Sequence, residues 1–441
     1  MADVPLHQFL GSVGAVKRTG LISSAMTYIA AMGLFAATLT AISAPALGQA
    51  TDAATQLTGP DAVPNQLIDD QADKPDLVGT EPVGKRWDEW KARLKERSGF
   101  DFGVDYNALG FAATESLGDD TSASGVFRIY GTWDLIGRDG PNTGSLVFKI
   151  ENRHTYTDVP PSEFGPEIGY AGLNHCCFSD AGWRATHLFW QQRFADGRGV
   201  SYIGWLDITD YVDVYALASP WTGFSNLAFA TGSGSMGGLP DGAFGAMVGG
   251  FLTDQVYTVG GIADANADAS DLGGGLDTFF NDFETFKTLE LGWTSAQEQL
   301  FLDNAHITLW QIDERDEAGT PDGWGVNFSL TKAVADHWLP FLRGGWAEDG
   351  ASLYQASISM GFGYSSVPGL DLLGVGLNWS RPNRDTFGTK LDDQYTLEIF
   401  QRWQVAERVQ ITPSVQLIKD PALNPTEDFT AVFGLRGRIA I

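Results

Sequence analysis

Beyond residue 99, apolar and polar residues alternate in one segment after another. In GVFRIYGTWDLI, residues 125–136, Phe127, Ile129, Trp133 and Leu135 fall on one parity and Arg128, Tyr130, Thr132 and Asp134 on the other. SLVFKIENRH sets Leu146, Phe148 and Ile150 against Lys149, Glu151 and Arg153. Near the end, Leu397 and Ile399 stand against Glu398 and Arg402, and Phe433, Leu435, Ile439 and Ile441 against Arg436 and Arg438. Successive side chains of a strand point to opposite faces, so this period of two predicts strands with one apolar and one polar face. LFWQQRF, residues 188–194, divides the same way: Leu188, Trp190, Gln192 and Phe194 share one side, Phe189, Gln191 and Arg193 the other.

A soluble sandwich alternates too, and three features argue against one. The segments run about ten to twelve residues, longer than an ordinary strand and near what a tilted membrane strand needs. Their apolar faces end in aromatics such as Trp133, Trp293 and Trp379, as an interfacial girdle does. No stretch after residue 50 has the apolar length of a spanning helix. Roughly sixteen or seventeen such segments occur, and bacterial single-chain barrels have an even number. FSNLAFAT, residues 224–231, with a glycine-rich stretch after it, is the candidate for a loop that folds inward instead. The predicted fold class is all-β: a transmembrane antiparallel β-barrel of about 16 strands, with a short N-terminal helix.

That helix is expected over 85–98, where Trp87, Trp90 and Leu94 recur at helical spacing among charges. Residues 51–84 are acidic, proline-containing and without period, which predicts a flexible linker. In residues 1–50, Lys17 and Arg18 precede the apolar run LISSAMTYIAAMGLFAATLTAI, and the small residues Gly48 and Ala50 come after it. This is the pattern of a signal peptide cleaved near Ala50. Residues 99–441 make the barrel domain.

Composition supports a strand-rich chain, with 53 Gly and 12% aromatic residues. The net charge is -27, and Asp3 against Lys17 and Arg18 makes it -28 after residue 50. Such a chain lacks the basic face that nucleic acid or simple attachment to anionic lipid requires. Two adjacent cysteines, Cys176 and Cys177 in NHCCFSD, give no disulfide scaffold. Neighbours are poorly placed to bridge, and zinc spacing asks for a second pair, so they read as loop residues without a catalytic role.

Other motifs carry little. GSGSMG, residues 232–237, fits a dinucleotide pattern, but GLPDGAFGAM directly after it contains Pro240 and cannot open the required helix. Asp264, Asn266 and Asp268 begin like a calcium loop without its Gly and terminal Glu, a weak metal candidate. The six histidines form no H-E-x-x-H pair, and there is no G-x-S-x-G elbow. No catalytic residue and no cofactor is expected.

The stretch EIFQRWQVAERVQITPSVQLIKDPALNPTEDFTAVFGLRGRI resembles the terminal strands of the carbohydrate-selective porin family, the OprB type. The residues that carry the resemblance are Glu398, Thr412, Pro413, Gln416, Ile418, Pro421, Gly434, Leu435 and Arg436. LFWQQRFADGRGVSYIGWLD, with Phe224 and Asn226 after it, and GLDLLGVGLNWSRPN are similar too. The chain departs from outer-membrane habit in ending on Ile441 rather than an aromatic. The resemblance implies sixteen antiparallel strands in a bacterial outer membrane, passing sugars by diffusion.

Permeation requires only a watery constriction whose wall exchanges hydrogen bonds with hydroxyls. Parity nominates Arg128, Asp134, Lys149, Glu151, Arg153, Phe189, Gln191, Arg193, Trp205 and Asp207, with Arg436 and Arg438 from the closing strand, as pore-lining and sugar-contact residues. The expected partners are small sugars as permeants and outer-membrane lipid, with oligomeric state left open. The alternatives are an outer-membrane barrel enzyme, lipase or protease, and a secreted sugar-binding β-sandwich.

Overall fold

A computed structural model describes residues 57–79, 84–316, 318–335 and 337–441; the expected signal peptide lies outside the described residues. The strands are β1 (Phe100–Ala113), β2 (Thr121–Ile136), β3 (Gly144–Thr155), β4 (Gly182–Phe194), β5 (Gly199–Leu206), β6 (Ala243–Phe251), β7 (Val256–Asp264) and β8 (Thr285–Thr294). They continue as β9 (Asn304–Ile312), β10 (Gly323–Thr331), β11 (Trp338–Asp349), β12 (Tyr354–Tyr364), β13 (Asp371–Pro382), β14 (Gln394–Ala406), β15 (Val409–Lys419) and β16 (Phe429–Ala440). Each pairs antiparallel with the next, and β16 returns to β1, closing a sixteen-stranded barrel. Closure leaves no unpaired edge, the condition for strands to live in lipid.

The connections differ at the two ends. Tight turns such as 195–198, 252–255 and 407–408 lie at one end, and the long segments 156–181, 207–242 and 265–284 at the other. In outer-membrane barrels the short turns are periplasmic and the long loops extracellular. Outward aromatics band both ends: Trp133, Trp293, Trp338 and Trp403 near the short turns, Trp183, Trp324, Trp346 and Tyr395 near the long loops. Between them Ile203, Val248, Leu289, Leu377 and Leu435 point outward and exposed, an apolar band for lipid.

Helix α1 (Val63–Gln71) falls where the flexible linker was expected. It opens with a proline in its first turn, a favoured position, and buries Val63 and Leu67 one turn apart inside the barrel. No amphipathic stripe announces it, because it is surrounded by polar wall groups on several sides. Asp70 meets Arg438 and Tyr130, and Gln71 donates to Asp101. The chain then runs along the periplasmic end, where Leu77 and Val78 donate to the carbonyls of Gln404 and Val405.

Helix α2 (Lys85–Ser98) lies at the same rim. Trp87 and Trp90 stack at 4.9 Å and set their edges against Phe102 on the outer face of β1, and Asp88 pairs with Arg408 at 2.7 Å. Helix α3 (Leu272–Asn281) belongs to the 265–284 segment and is capped by Asp271, whose carboxylate accepts from Gly273 and Gly274. It packs on the outside of the wall, Phe279 meeting Phe244 at 5.1 Å.

This corrects one parity assignment. Trp205 pairs across the ladder with Leu188 and Phe244, both outward, so it faces away from the lumen. It is nevertheless 3% exposed, because α3 covers it; a side chain at Gly275 would run into the indole. Apolar cover from a loop helix makes an outward residue ambiguous in sequence.

Candidate permeation site

Three segments fill the lumen between the walls: 57–71 with α1, the 156–181 loop, and the 207–242 loop. The inward faces are therefore not simply wet, as alternation suggested. Apolar clusters sit inside, one built around Tyr202, Tyr211 and Val212, another around Tyr215, Phe224, Phe229, Phe341 and Phe400. FSNLAFAT does fold inward: Ser225 and Asn226 donate backbone N–H groups to Glu398 at 2.7 and 2.9 Å, and Ser359 Oγ donates to the Ala228 carbonyl.

The inward charges named from parity are grouped on one side of the barrel. Arg436 and Arg438 on β16, Arg128 on β2, Lys149 and Arg153 on β3, and Arg402 on β14 form a basic arc. Arg128 makes a two-pronged ion pair with Asp105, one contact being Nε to Oδ1 at 2.8 Å, a geometry that fixes orientation as well as charge. Its guanidinium lies 4.0 Å over the Trp221 ring. Arg438 bridges Asp105 and Asp70, each at 2.8 Å. Arg436 donates to the carbonyls of Pro220 at 2.7 Å and Gly223 at 2.8 Å, and Arg402 to that of Thr222.

Lys149 reaches Asp210 at 2.9 Å and the Asp61 carbonyl at 3.2 Å, tying wall, loop and N-terminal segment together. Glu151 pairs with Arg153 at 2.7 Å, and Arg153 and Arg184 both meet Asp241. Asp134 accepts from Ser145. Phe189 points inward against Tyr202 and Tyr211, and Gln191 and Arg193 lie inward and buried toward the periplasmic end. Asp207 is beyond β5, not on the wall: it caps the turn Ile208–Asp210, accepting from Thr209 N at 2.9 Å.

The opposite wall holds a second anchor, which parity did not nominate. Asp213, with a left-handed φ of 50°, accepts from Arg343 on β11 at 2.6 Å, from His306 on β9 at 3.1 Å and from Gly232 N at 2.7 Å. Its own N–H donates to Glu290 on β8 at 2.6 Å, and Arg343 lies 4.1 Å over Tyr215. Glu290 between Leu289 and Leu291, and Asp105 between Val104 and Tyr106, were legible as inward. Arg343 comes after inward Leu339 and Phe341, so neither face of β11 reads as polar, and Asp213 and Trp221 sit in a loop without period.

The loop carboxylates respond oppositely to burial. Desolvation, then the charge of Asp210, pushes Asp61 up to about 6 and Asp207 up to about 8. Against its own burial, Lys149 and His187 hold Asp210 below the usual range. A raised carboxyl favours the folded state below its unfolded value, near 4, and loses that contribution as pH rises through its folded value; for Asp210 the contribution is lost on acidification. Asp207→Asn keeps an oxygen for the cap, so thermal denaturation should show it more stable than the parent above pH 8, by at least about 1 kcal/mol, with little difference at pH 4. Equal stability across that range would exclude an ionisation cost at Asp207.

The calcium candidate is not assembled. Asp264 accepts from Asn266 N and the Thr278 hydroxyl, Asn266 donates to Glu284, and Asp268 caps Ser270. Among the described residues the metal-type donors that converge are those of His175, Cys176 and Cys177.

The family model described as carbohydrate-selective porin, OprB family, matches residues 91–303 and 322–440. The high-pH structure of Pseudomonas putida OprB is similar in fold: 16% identity, 84% of this chain and 99% of that one covered, TM-score 0.65. The low-pH structure of that protein gives 12% identity over 84% and 100%, TM-score 0.48. A mutant of the Rhodopseudomonas blastica porin gives 14% over 78% and 100%, TM-score 0.47. No curated protein matches the chain. With most of its length matched by the family model and its strands closed into a sixteen-stranded barrel, the chain belongs to the carbohydrate-selective porins of the OprB family, channels for sugars in the bacterial outer membrane.

Proposed function

We propose that the channel passes monosaccharides and other small hydrophilic solutes into the periplasm by passive diffusion, and that the basic arc with its aromatic partners sets the preference for sugars. The observation that carries this is Arg128: buried on the inner wall, it lies over the equally buried Trp221 and keeps Nη1 without a protein acceptor, a donor that a sugar meets as the lumen loops part. A sugar offers an apolar ring face to an aromatic and hydroxyls to a guanidinium. Single hydrogen bonds of modest net strength let it move on. Arg436 Nε is a second such donor. Diffusion involves no bond making, so the chain works as a channel rather than an enzyme. The apolar band meets lipid, and residues 1–50 serve export, with release near Ala50.

Liposomes containing the purified protein should swell in isotonic glucose, and glucose should reduce the ionic current through single channels. Trp221→Ala is expected to weaken that reduction about three- to tenfold in apparent affinity, the value of one aromatic contact. A pure, folded sample that produces no swelling overturns the reading; an unaltered glucose effect in the variant removes Trp221 from it.

A further inference from the structure

We propose that Cys176 and Cys177, in the 156–181 loop, are a thiol–disulfide modification site, where reversible oxidation joins the two sulfurs and alters the grip of this loop on the bend at Pro220. The two Sγ atoms lie 2.7 Å apart, in two residues that are each half-buried. The backbone on either side is clamped. Asn174 exchanges two hydrogen bonds with Gln416, at 2.8 and 3.1 Å. The Phe178 carbonyl accepts from Ser162 N, the Ser179 carbonyl from Ser124 Oγ, and Asp180 from Thr155 N. The sulfurs are thus kept as neighbours.

His175 connects the pair to the 207–242 loop. Its Nδ1 accepts the Cys177 N–H at 3.0 Å, and its Nε2 donates to the Pro220 carbonyl at 3.0 Å, the oxygen that also receives Arg436. Burial, then Arg436, lowers His175 to about 3, so the ring stays neutral with that one tautomer. Both nitrogens being engaged, the ring is not available to hold a metal with the thiols. It is instead a rigid lever between the Cys177 backbone and the loop that Arg436 and Arg128 grip.

Adjacent Cα atoms are about 3.8 Å apart, short of the roughly 4.4 Å at which ordinary bridges begin. A bond closed here is strained, and strained bonds are the readily reduced, reversible ones. Closing it must turn the Cys176–Cys177 peptide, and with it the N–H that His175 holds. The oxidant is a low-molecular-weight disulfide such as glutathione disulfide. One cysteine thiolate attacks it and expels one glutathione thiolate; the other then attacks the mixed disulfide at the cysteine sulfur and expels the second. The protein loses two protons and two electrons, and the reagent gains them as two thiols. The hydrogen bond from Cys176, then burial, holds the Cys177 thiol well above its ordinary range, so exchange should accelerate with rising pH.

The test is the full-length channel, reconstituted and treated with glutathione disulfide. The peptide carrying residues 176–177 is expected to lose two hydrogens by mass and to stop taking up maleimide, with dithiothreitol restoring both thiols. A persistent glutathione adduct, or thiols that stay free on prolonged exposure, overturns the site. In planar bilayers, oxidation is expected to increase open-channel noise and dithiothreitol to reverse it, whereas Cys176→Ser/Cys177→Ser does not respond. A closed bridge with unaltered current overturns the coupling to Pro220.

Discussion

Asp213→Ala should release the 207–242 loop from the wall while leaving the barrel closed. Asp213 and Arg343 are completely buried, and the carboxylate answers Arg343, His306 and the Gly232 amide at once. Removing one member of a buried pair strands the other charge in a dry site, at a cost of about 3–5 kcal/mol. The strand ladders do not pass through Asp213, so the loss falls on the loop. Limited proteolysis of the detergent-solubilised protein should cut within 207–242 in the variant and not in the parent, while the temperature at which the folded form disappears from electrophoresis gels drops. The double variant Asp213→Ala/Arg343→Leu should recover much of that stability, because an apolar pair leaves no charge uncompensated. A loop that stays protected in Asp213→Ala would show that Glu398 and Arg436 suffice to hold it.

Deleting residues 57–72 is expected to enlarge the conductance and turn the channel toward anions. The segment contributes Asp61, Asp69 and Asp70 and no basic residue; Asp70 pairs directly with Arg438, and the Asp61 backbone carbonyl accepts from Lys149. A helix with its side chains is about 10–12 Å across, a large share of a barrel whose sixteen strands otherwise leave an aqueous channel, so a conductance increase of about twofold or more should result. Reversal potentials in a salt gradient measure the charge effect: with the acids gone, the arc attracts anions. An unchanged reversal potential would mean that the arc is balanced by Asp105, Glu151 and the 207–242 loop alone.

Much of the wall was legible because lipid imposes one constraint on every strand. Arg128, Lys149, Glu151, Arg436 and Arg438 alternate with apolar residues that must face hydrocarbon, and all five are buried on the inner side. The rule fails where something other than lipid covers the outside, as α3 does at Trp205. It also says nothing about what enters the lumen. Helix α1 is held by Asp70 and Gln71 meeting wall residues far along the chain, and such contacts leave no local period. The 207–242 loop is legible only at FSNLAFAT; its ionic anchors, Asp210, Asp213 and Asp241, lie outside the strands, and no spacing reveals their partners.

The ion cluster around Arg438 also lies on the seam where the first strand meets the last. Asp105 belongs to β1 and Arg438 to β16, and Asp70 of the luminal helix answers the same guanidinium. Fourteen further strands separate those two in the chain, so their pairing spans the longest loop that the ring must close. The N-terminal segment therefore supplies a charge at the one junction that sequence-neighbour hairpins cannot form, and a substitution at Asp70 bears on assembly of the ring as well as on what passes through it.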